Sequence, residues 1–152
     1  MKDHLQLRSI FECDSRYKLE AYYYVLETLD FARSQLGMGH CEPAAVSFSS
    51  GDEELDEPEN VVQHISGGEL CEAIRIRALG MFGLMAKTVF QQWGITTTDD
   101  FGEIVYNMVE AGKMQAASSD CREAFHQVYD FQKVFCDDFR FHEDWNSLLH
   151  AA

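Results

Sequence analysis

The chain has 152 residues, 46% of them hydrophobic, and a formal net charge of −14 from 26 acids and 12 bases. That length suits a single domain over 1–152 with a real core, and the apolar content excludes wholesale disorder. The charge argues against nucleic acid and anionic membrane surfaces as partners, since both would repel it.

Five cysteines, Cys13, Cys41, Cys71, Cys121 and Cys136, are an odd number without a C-x-x-C pair. This usage fits a reduced cytoplasmic chain better than a disulfide scaffold. The opening MKDHLQLRSIFEC lacks the continuous apolar region of a signal peptide. No apolar run approaches a membrane span, so the expected location is the cytoplasm, with no membrane contact.

Residues 1–13 carry Leu5, Leu7, Ile10 and Phe11, and fit a short helix or a strand equally well. From Arg16 to about Leu36 a long helix is predicted, with Ser15 as its cap and Gly37 as its stop. Leu19, Tyr22, Tyr23, Leu26 and Leu29 form its apolar stripe. Tyr22, Tyr23 and Tyr24 have strand propensity, but the run is too long for a strand and lacks period-2 alternation. These tyrosines read as core and rim. Residues 38–63 read as an acidic loop or insertion, because GDEELDEPEN at 51–60 holds six acids and no base. It is a solvated loop or a docking tail for a basic partner.

Three helices follow in close succession. Ser66 and Glu69 form an S-x-x-E capping box, and Ile65 and Leu70 a hydrophobic staple. Leu70, Ala73, Ile74, Ala78, Met81 and Phe82 give the first stripe, which Gly83 stops. The second carries Met85, Ala86, Val89, Phe90 and Trp93 and stops at Gly94. The third opens at Thr98 as cap, with Asp99 and Asp100 in its first turn where the helix dipole favours acids. Phe101, Ile104, Val105, Met108 and Val109 line its apolar face, and Gly112 ends it.

A hairpin is predicted next, from a strand near Lys113–Ala116 and another near Phe125–Phe131, where Phe125, Tyr129 and Phe131 alternate. A short helix through Phe131, Val134 and Phe135 follows, and another from Glu143 with Trp145, Leu148 and Leu149 on one side. Three helices and a hairpin resemble a winged helix. The expected fold is therefore mainly α with a small β-hairpin (α+β): a winged-helix-like core over 66–131, preceded by a long N-terminal helix.

The segments RYKLEAYYYVLE, HISGGEL, LGMFGLMAKTVFQQWGI, DFGEIVYNMVEAG and VYDF resemble a family of uncharacterised bacterial proteins of planctomycete and verrucomicrobial type. The resemblance covers most of the chain outside the acidic insertion. Where that family carries a leucine pair, as in AGLL, this chain has Gly112, Lys113 and Met114. The resemblance implies no established activity and carries over no catalytic residue.

A winged helix raises DNA binding first. A reading helix needs bases for phosphates and polar forks for nucleotide edges. The third helix has no base and instead offers Asp99, Asp100, Glu103, Tyr106, Asn107 and Glu110. That face suits a basic protein partner, with acids for steering and Tyr106 as an aromatic anchor. The alternative for the same face is plain solvation, or packing under the N-terminal helix. Metal is the competing chemistry. Cys121, His126, Cys136 and His142 carry zinc-type ligands, though their spacing fits no named motif. There is no G-x-S-x-G, phosphate loop or dinucleotide fingerprint, so no catalytic residue and no cofactor are assigned. The reading is a cytoplasmic protein–protein interaction or regulatory module. Its alternative is a small metal-binding protein, or a metal-dependent enzyme using the C-terminal cysteines and histidines.

Overall fold

A computed structural model describes residues 10, 12, 14–41, 63–112, 114 and 122–140. Of the element predicted over 1–13 only Ile10 and Glu12 are described, and the acidic 51–60 run and the predicted helix from Glu143 lie outside the described residues.

Helix α1 spans Leu19–Ser34 and starts after Lys18, whose extended backbone serves as N-cap without a side-chain bond. Ser15 is thus not the cap, because residues 14–17 form a turn that precedes the helix. Gly37, at φ +60, helps to end it, and the N–H of Met38 returns to the Ala32 carbonyl at 2.9 Å. The helix buries Ala21, Tyr22, Tyr24, Val25, Thr28, Leu29 and Ala32. Tyr22 and Tyr24 enter the core and Tyr23 sits at its rim. Thr28 satisfies its buried hydroxyl by donating to the Tyr24 carbonyl at 2.6 Å.

A two-residue antiparallel ladder, β1 (His40–Cys41) with β2 (Gln63–His64), brings together the two ends of the long connection. Helix α2 spans Gly67–Phe82 behind the expected capping box. Ser66 Oγ accepts from the Glu69 N–H at 3.3 Å, and Glu69 Oε2 accepts from the Ser66 N–H at 2.9 Å. Ile65 and Leu70 are both buried, as a staple requires. Gly67 is dictated by contact: a Cβ there would lie 2.8 Å from the Ala124 Cβ. Gly83, at φ +54, breaks the helix and leads into a 3-10 turn, Gly83–Met85. Helix α3, Ala86–Gln92, follows directly.

This turn corrects the predicted stripes. Met81 and Met85, placed on those stripes, stand 55% and 57% exposed, and Leu84 beside them 48%. Met85 follows the left-handed Gly83 in the 3-10 turn, and Met81 lies beyond Ala78, the last residue α2 buries.

Gly94, at φ +88, lets the chain pass against the N-terminal turn; a Cβ there would sit 2.1 Å from the Arg16 carbonyl oxygen. Helix α4 spans Thr98–Glu110, and its N-cap is Thr97 rather than Thr98. Thr98 instead is buried, donating its hydroxyl to the Phe125 carbonyl at 2.7 Å and accepting from the Val128 N–H at 3.1 Å.

The predicted hairpin, and with it the winged-helix-like core, is overturned. Phe125 closes a 3-10 turn, Arg122–Phe125, and Phe131 opens a short helical turn that becomes a π-helical stretch, Lys133–Asp137. Of the other expected strand only Met114 lies among the described residues. Between the two turns Gln127 takes φ 46, a left-handed conformation no wing strand would contain. The backbone–backbone hydrogen bonds here are local, such as His126 N–H to Glu123 O and Val134 N–H to Asp130 O, each 3.0 Å. Phe125, Tyr129 and Phe131 all face inward, but from successive turns. Among the described residues the architecture is helical, with β1–β2 its sole ladder.

The core is aromatic. Phe90 lies at its centre, fully buried, with ring centroids of Tyr24, Phe101, Phe131, Phe135 and Trp93 between 5.4 and 6.0 Å away. Most of these pairs are tilted or edge-to-face, the arrangements ring quadrupoles favour. Burial of each such side chain contributes about 1.5–3 kcal/mol. Phe101, Ile104 and Met108 of α4 point into this core, which holds the helix rigidly and turns its polar face outward. No helix among the described residues is long and apolar enough to cross a membrane.

Candidate functional site

The outward face of α4 carries all six residues singled out in the sequence, and the fold brings two distant segments onto it. One is the turn 14–18 ahead of α1. The other is the 3-10 turn that begins at Arg122. The turn 14–18 is anchored by Lys18 N–H to the Trp93 carbonyl at 3.1 Å and by Tyr17, whose hydroxyl donates to Asp100 at 2.6 Å.

Asp100 is the hub at the helix start. Beyond Tyr17, it accepts from the backbone N–H groups of Thr96 at 2.8 Å and Thr97 at 3.1 Å. Burial works against its charge, but the Tyr17 hydroxyl and the two backbone donors outweigh that, and its pKa is lowered. Tyr17 is pushed the opposite way, first by burial and then by the carboxylate it serves.

Asn107 donates its amide to Asp14 at 2.8 Å and to the Tyr22 hydroxyl at 3.1 Å. Arg16 grips the same Asp14 through Nε at 2.9 Å and a terminal nitrogen at 2.7 Å. That guanidinium, with the Asn107 amide behind it, holds the Asp14 carboxyl well below the usual carboxylate range. Asp99 pairs with His126 Nδ1 at 2.7 Å, both side chains substantially exposed.

Further along, Glu103 lies between two arginines. Arg16 approaches one carboxylate oxygen at 3.5 Å and Arg122 the other at 3.4 Å. Arg122 also lays its guanidinium over the Tyr106 ring, 4.8 Å from the centroid. Glu110, at the far end of the face, is exposed. Of the six residues, then, Asp100 and Asn107 are tied to the N-terminal turn, Glu103 and Tyr106 hold arginines, and Asp99 holds a histidine. Sequence reasoning assigned none of Asp14, Arg16 and Arg122 to this face. No local pattern marks a pair 87 residues apart, such as Arg16 with Glu103.

The metal alternative is divided between described and undescribed residues. Cys121 and His142 lie outside the described residues, His126 is engaged by Asp99, and Cys136 is half-buried in the π-helical turn. Among the described residues, no group of three or more His, Cys, Asp or Glu is arranged to hold a metal ion. Cys71 is buried, its thiol pushed up to about 12 chiefly by burial and then by Asp99, which leaves no thiolate at neutral pH.

Two further surfaces stand out. An open groove of about 560 Å³ beside α1 is lined by Leu26, Asp30, Phe31 and Arg77. Arg77 there is spent on Glu27 at 2.7 Å, on Thr28 at 3.1 Å and on the Tyr24 carbonyl at 3.2 Å. The other surface is the apolar corner of Met81, Leu84 and Met85.

Searched against known proteins, the chain matches no family model, no curated protein and no solved structure.

Proposed function

We propose that this chain is a cytoplasmic protein-interaction module that holds a basic segment of a partner protein on the polar face of α4. The observation that supports this most is the seating of Arg122, with its guanidinium over Tyr106 and against Glu103. An aromatic face beside a carboxylate is a combination that binds guanidinium, through the ring quadrupole and charge-assisted hydrogen bonding together. It stands on a helix fixed by Phe101, Ile104 and Met108, so little ordering is needed on binding.

Local charge points the same way. Asp99, Asp100, Glu103 and Glu110 share the face, and exposed Glu110 extends it by one turn beyond Tyr106. Within a net charge of −14, such a surface accelerates encounters with a cationic partner and repels phosphate backbones.

The test is a titration with short arginine-rich and glutamate-rich peptides at low salt, comparing the wild type with Glu103→Gln/Glu110→Gln. The reading expects saturable binding of the arginine peptide, weakened several-fold in the double variant, and none of the glutamate peptide. Equal affinity in wild type and variant, with the fold intact by circular dichroism, would remove the face from the reading.

A further inference from the structure

Resting on that reading, we infer that Arg122 occupies in cis the seat that an arginine of the partner takes, so that partner binding displaces it. The two arginines at Glu103 are held very differently. Arg16 is fixed by Asp14, with Nε and a terminal nitrogen at 2.9 and 2.7 Å, and only grazes Glu103 at 3.5 Å. Arg122 has Glu103 at 3.4 Å and the Tyr106 ring at 4.8 Å, and its side chain is 55% exposed. Among the described residues, both of these contacts are with the proposed partner face.

A contact at 3.4 Å from a half-exposed arginine is weak and screened by salt. An exposed ion pair and an exposed cation–ring contact together favour the closed form by roughly three to thirty to one. A partner's arginine entering the seat recovers the same ring and carboxylate contacts that Arg122 gives up. The apparent affinity of the partner is therefore reduced by the fraction of chains with the seat filled, and emptying the seat raises it about four- to thirty-fold. The seat also discriminates. A planar guanidinium stacks on the ring while reaching the carboxylate, whereas a lysine ammonium is a more strongly hydrated point charge.

The experiment titrates the wild type, Arg122→Gln, Arg140→Gln and Glu103→Gln with capped hexa-arginine and hexa-lysine peptides, following the Tyr106 ring signals by NMR. Arg140 is exposed and lies on the far turn, where it donates to the Asp137 and Phe139 carbonyls, so its removal controls for net charge. Arg122→Gln is expected to bind hexa-arginine about four- to thirty-fold more tightly than the wild type, with a smaller gain for hexa-lysine and none in Arg140→Gln. An unchanged or weaker affinity in Arg122→Gln would overturn the competition, as would an equal gain in Arg140→Gln. Wild-type binding that Glu103→Gln weakens would leave the proposed function standing in either case. Wild-type binding indifferent to Glu103→Gln would instead defeat the proposed function, and the competition with it.

Discussion

Replacing Asp100 by alanine probes the joint between α4 and the N-terminal turn. The carboxylate accepts the Tyr17 hydroxyl at 2.6 Å and the backbone N–H groups of Thr96 and Thr97 at 2.8 and 3.1 Å. Loss of the acid-to-backbone bonds at the helix start costs about 1 kcal/mol, as for a typical cap. Loss of the hydrogen bond from Tyr17, a residue 2% exposed, adds about 1.5–3 kcal/mol because its acceptor is charged. The expected cost of Asp100→Ala is therefore about 2.5–4 kcal/mol. Tyr17→Phe removes only the hydroxyl and leaves Asp100 its backbone donors, so about 1–2 kcal/mol is expected. In urea denaturation the double variant should cost clearly less than the sum of the singles, since both remove one shared bond. A cost for Asp100→Ala of no more than about 1 kcal/mol, or strict additivity, would show that the joint is not formed in solution.

Three further outcomes follow from the same contacts. Ser66→Ala should lower stability by about 1 kcal/mol, since it opens the α2 capping box, and an unchanged denaturation midpoint would contradict it. Gly94→Ala should destabilise severely, because a Cβ at φ +88 would sit 2.1 Å from the Arg16 carbonyl oxygen, whereas Gly68→Ala meets nothing within 4 Å and should be neutral or gain up to about 1 kcal/mol in thermal melts. Stability should also fall on acidification. Asp14 and Asp100 both have folded pKa values below their ordinary ones, so their contribution is complete above the unfolded value of about 3.9 and is lost as pH drops through the folded values. A midpoint in urea that stays flat from pH 5 to pH 2.5 would refute that linkage.

Local chemistry was legible and long-range chemistry was not. The Ser66–Glu69 box needs only residues three apart, and it forms as expected. The α4 start was misplaced by one residue because Thr96, Thr97 and Thr98 are equivalent to a local reading. The choice is settled by Phe125, whose carbonyl takes the Thr98 hydroxyl and draws it into the core. The hairpin failed for a related reason. Phe125, Tyr129 and Phe131 alternate because each fills a separate place: Phe125 against Gly67 and Gly102, Tyr129 donating to the Cys71 carbonyl at 2.7 Å, and Phe131 against Phe90 and Phe101. Period-2 spacing reports a shared direction, not an extended backbone, and the left-handed Gln127 between them carries no sequence signal. The polar face of α4 was readable as a face. Its partners were not, since Asp14, Arg16 and Arg122 arrive from elsewhere in the chain.

The central claim is that the Glu103–Tyr106–Glu110 face receives a basic partner segment. Residue-resolved NMR of the wild type during a hexa-arginine titration tests it most directly. The account expects the largest, saturable shifts at Glu103, Tyr106, Glu110 and Arg122, fading as salt rises because the pairing is exposed. Shifts centred instead on Met81, Leu84 and Met85, or on the groove at Asp30 and Phe31, would contradict it.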